Sequence, residues 1–133
     1  DMVRSRLMHD QHEWFGDHAR TLPAGTGERL VCPLMKRLAA LGLPTLVVAQ
    51  YDPIVWSDKA YGAKERLVSQ RVLSCAAAAK LATLDLFVPI DQTVRARGLG
   101  SLYGHRSEHH NPAGNRLAAE LIAAELERRK MLP

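Results

Sequence analysis

The chain has 133 residues, 47% hydrophobic and 24% charged, with a formal net charge of +4. This is the balance of one ordinary globular domain with a sizeable core. No apolar run approaches the ~20 residues of a membrane-spanning helix, so no membrane partner is expected, and the mild, scattered positive charge gives no argument for nucleic-acid binding.

Residues 1–20 are polar with scattered apolar positions, among them Leu7, Trp14 and Phe15, which suggests one or two amphipathic helical turns. The N-terminal stretch DMVRSRLMHD has no signal-peptide h-region and starts with Asp. The chain therefore reads as a fragment or a processed product that could have lost a targeting segment, and the compartment stays open with a weak lean to the cytoplasm. Residues 22–27, LPAGTG, read as a loop.

Leu30, Val31, Leu34, Leu38 and Leu41 recur at helical spacing over residues 28–41. Pro33 either starts that helix or kinks it, and Gly42 stops it. The apolar run from Pro44 to Gln50 predicts a buried parallel strand, followed by a Tyr51-Asp52-Pro53 loop. Asp52 before a proline is a turn former more often than a catalytic acid. Tyr51 and Trp56 either line a cleft or pack in the core.

Asp58 or Ser57 caps the next helix, expected over 60–81 with Leu67, Val68, Val72, Leu73, Cys75 and Ala76 on one face. A second strand is expected over 82–88, ended by Pro89, then a short helix over 90–97 closed by Gly98. Gly98, Gly100 and Gly104 mark a loop that runs to His110. The last helix, 112–130, has Asn111 as N-cap, Pro112 in its first turn and a stripe of Leu117, Leu121, Ile122 and Leu126. Arg128, Arg129 and Lys130 close it, where cations offset the helix dipole.

Cys32 and Cys75 both fall among apolar neighbours in predicted helices, where a cysteine reads as a buried free thiol. They form no CxxC motif, and a single disulfide between them stays open.

The order helix, strand, helix, strand, helix argues for a single α/β domain over residues 1–133, with a parallel sheet. Two parallel strands alone make a poor sheet. A third strand is hidden, or strands come from a partner copy in a homo-oligomer, or from a part of the protein that is absent.

Chemistry concentrates in residues 105–115, HRSEHHNPAGN, where three histidines and a glutamate precede a helix. Histidine takes and gives protons near neutral pH. His105, Glu108, His109 and His110 follow no recognised metal-ligand spacing, so no metal and no cofactor is expected. Asn111 and Pro112 are explained by helix capping alone. Gly114 in the first turn is not, and it points to a close backbone approach.

The segment HHNPAGNRLA resembles the histidine-bearing last block of SGNH (GDSL-type) hydrolases, matching it at His109, Asn111, Pro112, Gly114 and Asn115. The segments LGLPTLVVAQYDP and LATLDLFVPI are similar to that family's last two strands in order. The resemblance implies a partial three-layer, flavodoxin-like parallel sheet with flanking helices. It also implies an ester or acyl hydrolase acting on a small-molecule or carbohydrate ester, with no nucleic-acid or membrane partner.

His109 would be the general base, since Gly114 falls five residues later as in the family pattern, and His110 is the second choice. The family's orienting acid is replaced here by Arg106 and Ser107, leaving Glu108 as the only nearby carboxylate. Tyr51 and Asn111 are candidate substrate contacts. The chain has no Gly-Asp-Ser block, and Gly16-Asp17-His18 carries His where the nucleophile is required. The serine would therefore come from sequence absent here. The rival reading is a non-catalytic α/β module that binds or assembles.

Overall fold

The computed structural model describes residues 26–104 and 109–131. The helical turns expected over 1–20 lie outside them. In chain order the described elements are α1 (Thr26–Ala39), β1 (Leu46–Ala49), α2 (Ile54–Ser57), α3 (Lys59–Ala78), β2 (Ala82–Asp85), α4 (Phe87–Arg97), a 3-10 turn (Leu99–Ser101) and α5 (Pro112–Arg128).

α1 begins at Thr26 and runs through Pro33, so Thr26 and Gly27 are helical rather than part of the expected loop. Gly42, at φ +68°, follows its end as expected. Asp58 is the cap of α3, its carboxylate accepting from the backbone N–H groups of Ala60 and Tyr61 at 2.9 and 3.0 Å. At the other end of the chain Arg128 and Arg129 both grip the Glu125 carboxylate. These contacts hold that carboxyl down at about 2.

β1 and β2 pair in parallel, with Leu46 opposite Ala82 and Ala49 opposite Asp85. Among the described residues they are the whole sheet. β2 ends three residues before the sequence predicts. The Asp85 carboxylate accepts from the Phe87 N–H at 2.9 Å, which turns Leu86–Val88 into the start of α4. Pro89 then sits in the first turn, where its missing N–H has no intrahelical partner to lose.

The core lies around Leu86 and Ile90, both 0% exposed, with Leu102, Tyr103 and Ala118. Val48 and Leu84, opposite one another in the sheet, pack against it, as do Leu117 and Leu121 of α5. α3 packs on both strands and α1 packs on α3. The expected helical stripes are only half used. Leu30, Leu34 and Leu67 are 48%, 53% and 67% exposed, and no strand residue is fully buried.

The cysteines correct the free-thiol expectation. Cys32 of α1 and Cys75 of α3 form a disulfide with their Cα atoms 4.7 Å apart. Each lies on the face its helix turns to the other, and a 43-residue separation hides that proximity from a reading of local spacing.

Candidate functional site

The carboxyl ends of β1 and β2 open beside the start of α5, the place where parallel sheets put their ligands. Three connections meet there: Gln50–Asp52 after β1, Asp85–Phe87 after β2, and, before α5, the described ends of the histidine loop at Leu102–Gly104 and His109–Asn111. Two backbone bonds pinch the base of that loop, from Asn111 N–H to the Leu102 carbonyl (2.9 Å) and from Gly104 N–H to the His109 carbonyl (3.1 Å). Tyr103 and His110 face each other there as an isolated antiparallel bridge.

Asn111 is committed to structure. Its Oδ1 accepts from the N–H groups of Ala113 and Gly114 (2.9 and 3.0 Å), and its Nδ2 donates to the Gly100 carbonyl (3.1 Å). One amide thus caps α5 and ties it to the 3-10 turn. Gly114 explains itself in the same place. A Cβ added there would collide with the Leu102 carbonyl oxygen and stand 3.0 Å from His110 Cγ. The close backbone approach expected at Gly114 is therefore present, and it seats the His110 ring.

The two histidines have opposite surroundings. His109 has an exposed side chain. His110 is partly buried, its ring centroid 4.6 Å from that of Tyr103. Its Nδ1 lies 3.3 Å from Gln50 Nε2, which donates to it in this amide orientation. Its Nε2 is shut off from solvent without a hydrogen-bond partner. Burial pushes the imidazole below its ordinary 6.5, and the Asp52 carboxylate partly opposes that shift. A base must reach its proton within hydrogen-bonding distance. His109 is exposed, whereas His110 Nε2 is shut off from solvent and its Nδ1 meets Gln50.

Tyr51 is 3% exposed. Its hydroxyl donates to Asp85 Oδ1 at 3.1 Å, and its carbonyl accepts from the Tyr103 hydroxyl at 2.8 Å. Burial pushes its phenol up to about 12. Tyr51 therefore packs in the core, of the two roles its sequence allowed. Around it Trp56 and Phe87 stack at 5.7 Å, and the Arg66 guanidinium carbon sits 3.8 Å over the Phe87 ring. Trp56 Nε1 donates to Asp91 Oδ1. Asp52 forms the expected turn, its carbonyl accepting from Val55 N–H.

Glu108 lies outside the described residues, as do His105, Arg106 and Ser107. Among the described residues no group of three or more His, Cys, Asp or Glu side chains could hold a metal ion. No described helix is long and apolar enough to cross a membrane. Beside the α5 cap a groove of about 460 Å³ separates α4 from α5, lined by Thr93, Arg97, Leu102, Arg116, Leu117 and Glu120.

Sequence reasoning did not single out Gln50, Asp85 or Tyr103. The available signal was position, since Gln50 and Asp85 stand at the carboxyl ends of the two strands. These features define a mixed helix–strand protein with His110 and the α5 cap beside the carboxyl ends of a parallel strand pair. No protein-family model, curated protein or solved structure matches the chain.

Proposed function

We propose that this chain is the histidine-bearing portion of an SGNH-type hydrolase, acting on an ester or acyl group of a small molecule or carbohydrate. The observation that carries the proposal is the contrast at the α5 cap: His109 is exposed, while the neighbouring His110 is half-buried with its Nε2 shut off from solvent. His109 takes the proton of a serine hydroxyl as the serine attacks the acyl carbon, then returns it to the leaving alkoxide. The serine comes from residues outside this chain, and Glu108 stands nearest in sequence to orient the base. His110 and Asn111 hold the loop in register, and Tyr51 supports it from the core. On this reading the two strands are one edge of a three-layer, flavodoxin-like sheet.

The incomplete burial of both strands favours a second reading, a non-catalytic α/β module that completes its sheet by assembly, with a further copy or another chain. Hydrolysis of p-nitrophenyl acetate by the full-length protein separates the two. The hydrolase reading predicts turnover that falls at least about 100-fold in His109→Ala, the usual weight of a general base. Turnover absent from the wild type, or unchanged in the variant, supports assembly.

A further inference from the structure

The two halves of the Cys32–Cys75 disulfide are unequal. Cys75 is 3% exposed, next to the fully buried Ala76 on the inner face of α3, whereas Cys32 on α1 is partly exposed. α1 makes its main contact with α3, and it turns Leu30 and Leu34 to solvent. The disulfide is therefore a principal tie between α1 and the rest of the described fold. Thiol–disulfide exchange needs a thiolate to reach one sulfur, and access decides which sulfur is attacked.

We propose that Cys32 is a site of reversible S-thiolation by small thiols of the glutathione class, and that this modification unlatches α1. The thiolate attacks Cys32 Sγ and forms a new S–S bond there. The bond to Cys75 breaks, its electron pair leaves on Cys75 Sγ, and that sulfur takes a proton from water. One thiol is consumed, giving a mixed disulfide at Cys32 and a buried thiol at Cys75, with no other oxidant or reductant. In the reverse step the Cys75 thiolate attacks Cys32, expels the small thiol and relatches α1.

The test incubates the oxidised full chain with millimolar reduced glutathione, quenches with acid, alkylates free thiols under denaturing conditions and maps the peptides by mass. The expected result is adduct on Cys32 over Cys75 by at least about tenfold, following sulfur access, with faster amide exchange over residues 29–39. Adduct mainly on Cys75, equal adduct on both, or a disulfide that opens only after denaturation overturns the proposal. Single variants give a second readout. The thiol left in Cys75→Ser should react with a chromogenic disulfide reagent at least about tenfold faster than the thiol left in Cys32→Ser, and equal rates contradict it.

Discussion

A glycine in a first helical turn costs up to about 1 kcal/mol relative to alanine, yet Gly114 cannot be exchanged for alanine without driving a Cβ into the Leu102 carbonyl. Gly114→Ala should therefore lose about 1–3 kcal/mol, the usual cost of overpacking, read as a lowered urea midpoint. A gain in stability would mean that the α5 cap does not sit as described. His110 supplies a second test. Its Nε2 is buried without a partner, and an apolar ring of similar shape removes that unmet donor at little cost. His110→Phe should match or exceed the wild type in stability at pH 7.

The same residue sets a pH dependence. Burial lowers the folded-state value of His110 below its unfolded 6.5, so between those values the unfolded chain binds more protons. Stability is then complete above about 6.5 and declines as pH falls toward the folded value. Thermal melts between pH 7.5 and 5 should show that decline in the wild type and a shallower one in His110→Phe. Parallel slopes would remove His110 as the source. Diethyl pyrocarbonate should modify His109 well before His110 in the native chain, because the first is exposed and the Nε2 of the second is shut off from solvent.

At the scale of elements, helix ends were the legible part. Gly42, Asp58, Gly98, Asn111 and Pro112 each have a local chemical reason to stand where they do, and each marks a boundary in the structure. The end of β2 was not legible. Leu86-Phe87-Val88 looks like more strand, and only the Asp85 carboxylate reaching forward to Phe87 N–H reveals the turn. The disulfide was hidden for a different reason. Two helical stripes 43 residues apart show which way each cysteine faces, but not that α1 lies on α3. Reducing it should destabilise the chain by about 2–4 kcal/mol through the larger entropy of the unlinked unfolded state. An unchanged urea midpoint after reduction would show that α1 contributes little to the folded ensemble.

For the molecule as a whole, the pattern of helices and strands predicts a mixed helix–strand chain with a parallel strand pair, which the described residues show, and His109 and His110 stand just before the last helix. The choice between two adjacent histidines rested on motif register alone. The packing of the His110 ring between Tyr103, Gln50 and Gly114 is a tertiary fact that no local spacing contains. The periodic leucines also promised a fuller core than the described residues build. Leu30, Leu34 and Leu67 remain open, and both strands are only partly covered. Two strands seldom make an independently stable sheet, which agrees with a site that is completed by further residues.

The most direct test of that account is active-site labelling of the full-length protein with a fluorophosphonate probe, followed by mass mapping. The account predicts one labelled serine located outside residues 1–133, with labelling lost in His109→Ala and retained in His110→Phe. A protein that takes no label, or whose label survives His109→Ala, would contradict the assignment of His109 as the base of a serine hydrolase.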